Sequence, residues 1–351
     1  MTAAVERPAA ATEIRMTTLH ATRGMNFWSR RPVTRMDLVV GAYDDLSSAD
    51  VAGVRERLVA AMPGLTAHRC SIGERGGFVL RLRRGTYAPH IIEHVALELQ
   101  TMMGHDVGFG RTRGGDVEGE YTLVFEHMHE QVGLRAAALA LEAVQQAFDG
   151  VLASVDAAVA ELRAIGDAPS IPPPHSRVLC GVTGGDGRGE TQRLLRERLA
   201  DPAALVIDVA PSYLLTAGLP YAHSRMAVIL GAQLTDVPLR YRQEERATRL
   251  VSVLADAVER DGVVICPAKA WEIQDYARDA RCRIAVFATD DDVTRRDAKV
   301  ARAIGRVRDG RILVEGCGDE EDAGPVDPTL PLSAQVAAAV AVGMLGSETL
   351  S

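Results

Sequence analysis

The sequence predicts two domains, an α+β N-terminal domain followed by an α/β domain built on a mostly parallel sheet. Three observations predict this. A proline-rich stretch at 166–176, containing Pro172-Pro173-Pro174, cannot continue a helix and suits an extended linker. Before it, strand-like runs give way to long Ala-rich helical patterns; after it, short β-rich apolar runs alternate with helical ones, as parallel strands joined by crossover helices do. With 351 residues, 47% of them hydrophobic, the chain is long enough for two cores.

Residues 1–24 lack the apolar centre of a signal peptide and are expected to be a disordered leader. The first domain, 25–165, should hold strands at 37–43 (DLVVGAY), 78–82 (FVLRL) and 121–125 (YTLVF). Its helices are expected at 48–62, 89–103, 132–148 and 154–165. In the second domain, 177–346, strands are expected at 177–181, 204–207, 226–230, 263–266 and 284–288. Helices should cover 190–199, 246–260, 271–280 and, last, 333–346.

Composition narrows the function. A count of 39 Lys+Arg against 47 Asp+Glu gives a net charge of −8, which argues against nucleic acid as the main partner and tolerates an Arg-rich one. No run reaches the roughly 18–20 apolar residues of a membrane span, so no membrane role is expected. The five cysteines are scattered without a C-x-x-C pair and read as incidental thiols of a reducing cytoplasm.

His90-Ile91-Ile92-Glu93-His94 carries the most chemistry. At i and i+4 two imidazoles share one helix face, with a carboxylate beside the first, and Pro89 suits the first helical turn. The order H-x-x-E-H is that of inverzincin peptidases. It makes His90 and His94 candidate Zn²⁺ ligands and Glu93 the candidate catalytic base. Glu98 lies eight residues beyond His90, about 12 Å along the axis, too far for the same helix to supply a third ligand. Glu126, at the end of the YTLVF strand, is the preferred third ligand, with His127 and His129 as alternatives. The stretch 108–115 reads as a flexible loop whose Arg111 and Arg113 could grip substrate carboxylates. Upstream, 68–71 and the Gly pair before Phe78 read as turns.

A second motif lies at 178–191, VLCGVTGGDGRGET, an apolar strand running through a glycine-rich loop into a helix. That is the setting of a phosphate-binding loop. Its side chains differ: Gly187-Arg188-Gly189 stands where lysine and hydroxyl would be, and Glu190 repels an anion. ATP hydrolysis is therefore not expected, and the loop from Gly184 to Arg188 retains at most weak nucleotide binding.

The segment HRCSIGERGGFVLRLRRGTYAPHIIEHVALELQTMMGHDVGFGRTRGG, with NFWSRRP upstream and YTLVFEH downstream, closely resembles the N-terminal domain of cyanophycin synthetase over about 25–165. Those enzymes build an aspartate-backbone polymer carrying arginine, and in them an ATP-grasp module and a Mur-ligase-like module follow. Here the ATP-grasp module is absent, and 177–346 resembles a degenerate Mur-ligase central domain of P-loop type. The loop's lysine is lost, the E-T-A-R segment reads Asp208-Val209-Ala210-Pro211, and L-N-A-D-D-P reads Ile265-Cys266-Pro267-Ala268-Lys269-Ala270. A final Mur-ligase domain is likewise not expected. The resemblance implies a protein without either ligase site whose N-terminal domain binds, and cuts, an Asp- or Arg-bearing polymer or (iso)peptide at a zinc site. Its alternative is a non-catalytic partner of a separately encoded ATP-dependent ligase; by the same resemblance a homo-oligomer is expected.

Overall fold

The computed structural model describes residues 8–167, 178–199, 204–316 and 319–348. Within them the chain forms two units: 8–23 with 28–167, and 24–27 with everything from 178 onward. Most of the expected linker, including Pro172-Pro173-Pro174, lies outside the described residues, while Gly166 closes a helix.

The first unit runs α1 (Ala10–Glu13), β1 (Arg15–Thr22), β2 (Val33–Val39), α2 (Val54–Ala61), α3 (Gly77–Arg84) and α4 (Ala88–Met102). It continues with β3 (Gly110–Gly114), β4 (Glu120–Glu126), α5 (Glu130–Asp149) and α6 (Asp156–Gly166). The strands form one antiparallel sheet ordered β1-β2-β4-β3, and α4 and α5 supply much of the core against it. Ile91, Ile92, Val95 and Leu99 of α4 are fully buried, each contributing about 1.5–3 kcal/mol. Small buried residues on α5, among them Ala136, Ala137 and Ala140, accompany the contact of α5 with α4.

Three expectations fail here for physical reasons. The leader is not disordered from residue 8 on, because 15–22 pairs with β2 from Arg15↔Val39 to Thr22↔Val33. Its side chains are mostly exposed, so backbone pairing, not an apolar pattern, places this edge strand. The FVLRL run is helix α3, not a strand. Phe78 and Leu82, four apart, are both buried while Arg81, Arg83 and Arg84 face out, and Gly76 at φ +86° opens the helix. The 108–115 stretch is not a free loop, since Gly110 to Gly114 pair with β4.

The second unit carries β5 (Val178–Thr183), α7 (Arg188–Arg198), β6 (Leu205–Asp208), α8 (Pro211–Ala217), β7 (Ser224–Ile229), α9 (Glu244–Val251) and α10 (Val253–Asp256). It continues with β8 (Val258–Pro267), α11 (Trp271–Asp279), β9 (Arg283–Phe287), α12 (Arg295–Val300), β10 (Ala301–Arg308), β11 (Arg311–Gly316), β12 (Asp319–Pro325) and α13 (Leu332–Glu348). The sheet order is β12-β11-β10-β9-β8-β7-β5-β6, parallel from β6 through β10 and antiparallel over β10–β12. The expected helix 246–260 is two short helices, with Val258 already in β8. Among the described residues no helix is long and apolar enough to cross a membrane.

Candidate metal centre

Helix α4 sets the geometry. Tyr87 is extended, Pro89 occupies the first turn, and the helix ends where Gly104 turns at φ +108° and the His105 N–H donates to the Gln100 carbonyl at 3.0 Å. His90 and His94 stand on adjacent turns with ring centroids 4.9 Å apart. Phe78 of α3 stacks on His94 at 3.9 Å and meets His90 edge-on at 5.8 Å, walling both rings with hydrocarbon.

The segment before α3 brings the third donor. Gly77 packs against the Arg69 carbonyl so tightly that a Cβ there would lie 2.0 Å from it, and the Phe78 N–H donates to the His68 carbonyl at 3.2 Å. Cys70 adopts φ +56°, a left-handed backbone that costs a non-glycine residue on the order of 1–3 kcal/mol. Its Sγ stands 3.3 Å from His90 Nε2. One ligating atom from each of Cys70, His90 and His94 lies within 4.8 Å of the other two. Thiolate and imidazole donors in such a group suit Zn²⁺.

Burial favours the neutral form of both imidazoles. Burial, with the Arg81 charge adding to it, pushes His90 down to about 4. Burial, then His90 and His68, pushes His94 down to about 2. Behind them, Thr86 Oγ1 lies 2.7 Å from His90 Nδ1. His68 Nδ1 is 2.9 Å from His94 Nδ1, and its Nε2 is 2.9 Å from a Glu98 carboxylate oxygen.

Glu93 is 5% exposed. Thr112 of β3 donates to its carboxylate at 2.5 Å, and Gly110 leaves it room, since a Cβ there would come within 2.5 Å of Oε1. Burial raises this carboxyl to about 7 against the lowering effects of Thr112 and the Arg111 charge. His68, Cys70, Thr86, His90, Glu93, His94 and Thr112 border one cleft of about 830 Å³, whose walls also carry Arg69, Arg81 and Arg111.

Not every expected residue joins them. Glu126 is placed elsewhere: its carboxylate accepts from the Gly108 and Phe109 N–H groups at 3.3 and 3.2 Å and from Ser29 Oγ at 3.2 Å, with Arg31 at 3.7 Å. It anchors the approach to β3, and Cys70 stands where a third ligand was sought. His127 lies against Thr34 Oγ1 at 2.9 Å, and neither it nor His129 belongs to the donor group. Arg113 sits with its guanidinium 5.8 Å from the Trp28 ring. Cys70, His68 and Glu98 were missed as a set because their separation in sequence hides that α3 folds the first two onto α4. The available signal was a His-x-Cys pair beside an H-x-x-E-H helix in one domain.

The glycine loop of the second unit looks different. Gly184 (φ +110°) packs against the backbone of Leu230 and Gly231, and Gly187 (φ +93°) starts α7. Arg188 turns inward: Nε donates to Asp208 at 2.9 Å, Nη1 donates to the Gly184 carbonyl at 3.0 Å, and Asp236 lies at 4.0 Å. Its charge is answered within the protein.

The sequence model of the cyanophycin synthase-like N-terminal domain matches residues 35–149. The chain is 39% identical to the cyanophycin synthetase of Synechocystis sp. over 184 residues, 50% of this chain and 20% of that protein. It is 42% identical to the Trichormus variabilis enzyme over 140 residues, 39% of this chain and 15% of that one. The chain thus spans a fifth or less of the length of these curated relatives. Among solved structures it is similar to a MurF ligase from Thermotoga maritima in complex with ADP, at 10% identity and a TM-score of 0.37, over 50% of this chain and 46% of that one. It is also similar to a UDP-N-acetylmuramate:L-alanyl-gamma-D-glutamyl-meso-diaminopimelate ligase from Neisseria meningitides, at 17% identity and 0.37, over 56% and 72%. Residues 35–149 are therefore similar to the N-terminal domain of cyanophycin synthetases.

Proposed function

We propose that the first unit is a zinc-dependent hydrolase of acidic peptides or isopeptides, with Cys70, His90 and His94 as ligands. The observation that carries the reading is the convergence of those three donors, drawn from two separate segments, in one cleft beside Glu93. Zn²⁺ would supply Lewis acidity at the substrate carbonyl and to water. Glu93, held by Thr112, accepts the proton of the attacking water and returns it to the departing amine. Arg111, with Arg69 and Arg81 on the walls, pairs with substrate carboxylates, which favours an aspartate-rich chain over a cationic one. Arg113, held against Trp28, is not part of this grip. The test is elemental analysis of the purified protein beside His90→Ala/His94→Ala, followed by cleavage assays on aspartyl peptides. Stoichiometric zinc that the double variant lacks, with cleavage that Glu93→Gln abolishes, is the expected result; a metal-free protein that cleaves nothing overturns it.

A second reading concerns the other unit, and the Arg188 arrangement favours it. With its guanidinium held by Asp208 and the Gly184 carbonyl, the loop no longer offers its positive group to a phosphate. On this reading the unit has no ligase activity and serves as a scaffold, in homo-oligomers or for a separate ATP-dependent ligase. ATP turnover at ligase rates would overturn it.

A further inference from the structure

Behind His94 lies a chain of groups that the hydrolase reading does not use. His94 Nδ1 meets His68 Nδ1 at 2.9 Å, and His68 Nε2 meets Glu98 Oε2 at 2.9 Å. His68 and Glu98 have side chains only 15% and 5% exposed, so these contacts replace water rather than compete with it. With an ionised Glu98 and a neutral His68 ring, hydrogen-bond accounting orders the protons. A carboxylate only accepts, so His68 Nε2 carries a hydrogen and donates to Glu98. In the neutral ring, His68 Nδ1 is then an acceptor, and His94 Nδ1 must be the donor. That leaves the lone pair of His94 on Nε2. At His90, Thr86 Oγ1 lies 2.7 Å from Nδ1, and Nε2 is the atom 3.3 Å from the Cys70 sulfur.

Glu98 has its own support. Gly64, in the turn before His68, has no side chain where one would collide: a Cβ there would lie 2.0 Å from Oε1 and 2.8 Å from Oε2 of Glu98. Glycine at 64 therefore lets the carboxylate reach His68.

We propose that Glu98 and His68 are positioning residues that act through His94, locking its tautomer and ring plane so that Nε2 faces the Cys70 and His90 donors. The proposal rests on the metal reading above. Outer groups of this kind typically change metal affinity by about 10–100-fold. They set it without touching the ion.

The experiment uses the full chain and two probes, Zn²⁺ in competition with a chromophoric chelator and Co²⁺ read by its absorption spectrum. His68→Leu, which can neither accept nor donate, should weaken Zn²⁺ binding about 10–100-fold. Its Co²⁺ spectrum should keep the thiolate charge-transfer band from Cys70. His68→Gln, whose amide can accept from His94 and donate to Glu98, should recover most of the loss; a role in packing alone would not show that recovery. Glu98→Gln and Gly64→Ala should each weaken binding in the same direction, and they carry the test if His68→Leu does not fold. Wild-type affinity in His68→Leu and Glu98→Gln overturns this inference alone. Loss of one imidazole from the Co²⁺ coordination shell in His68→Leu also overturns it, because His68 would then be a ligand. A wild-type protein that binds no Zn²⁺, or a Cys70→Ala variant that binds it undiminished, overturns the metal reading itself.

Discussion

The cleft of the first unit and the glycine loop of the second both concentrate polar side chains at the start of a helix, yet they leave them in opposite states. Around α4 the protein satisfies the far side of each group: Thr86 behind His90, His68 behind His94, Thr112 behind Glu93. The ligating sides converge on one point. Around α7 the protein satisfies the working group itself, because Arg188 is spent on Asp208 and a loop carbonyl. On the proposed reading, the cleft holds its donors from behind and turns their other sides toward a metal. The glycine loop of the second unit instead holds its arginine from within the protein.

The most severe way to break this comparison is to remove the proposed base. Glu93→Gln should lower peptide cleavage by about 10²–10⁴-fold while zinc content stays at the wild-type value; a metal analysis beside a cleavage assay reads both. Next in size is the metal. Zn²⁺ at about 100 times its Kd should stabilise the first unit by about 2.7 kcal/mol, and thermal unfolding with and without chelator should show it. His90→Ala/His94→Ala should not respond.

Acid should weaken the metal-free protein by a comparable or smaller amount. His90 and His127 are held down to about 4 and His94 to about 2 by burial. Below their ordinary value of 6.5 the unfolded chain therefore binds more protons than the folded one. Their contribution is complete above pH 6.5 and is lost as pH falls toward 4. Glu93 acts with the opposite sign: raised to about 7, it makes the fold less stable as pH rises from its ordinary 4.5 to 7. Three rings outweigh one carboxyl, so a net loss on the order of 2 kcal/mol between pH 6.5 and 5.5 is expected from urea midpoints. Glu93→Gln should steepen that loss by removing the opposing group. The smallest effect belongs to the second unit, where millimolar ATP should leave the unfolding temperature unmoved. Asp208→Asn/Asp236→Asn, which frees Arg188, would sharpen the contrast if a small nucleotide-dependent shift then emerges.

Periodicity and punctuation made much of this architecture legible in advance. Helix α4 is an amphipathic run opened by proline, and the parallel β/α alternation after residue 178 follows from its short apolar runs. What stayed hidden had specific causes. A five-residue run such as FVLRL satisfies both a strand and a helix pattern, and only the Gly76 turn decides between them. Strand β1 has almost no buried side chains to betray it. At the site, the pentad was visible because its spacing is local. Cys70 was not, because only the tertiary fold brings a cysteine twenty residues upstream to His90. Glu126 attracted attention by its position at a strand end, but two backbone N–H groups claim its carboxylate first.

The assignment of Gly24–Phe27 to the second unit has a practical side. There the Met25 carbonyl accepts from the Leu219 N–H at 2.8 Å, Phe27 meets the Tyr241 ring edge-on at 5.6 Å, and Arg249 lies 5.1 Å over the Phe27 ring. A gene cut once near the proline stretch would produce a C-terminal fragment missing a piece of its own wall, with the buried Tyr241 uncovered. Dissection of this protein therefore calls for a circular permutation or a grafted four-residue segment, and a fragment made by simple truncation would report its own instability rather than the behaviour of the domain.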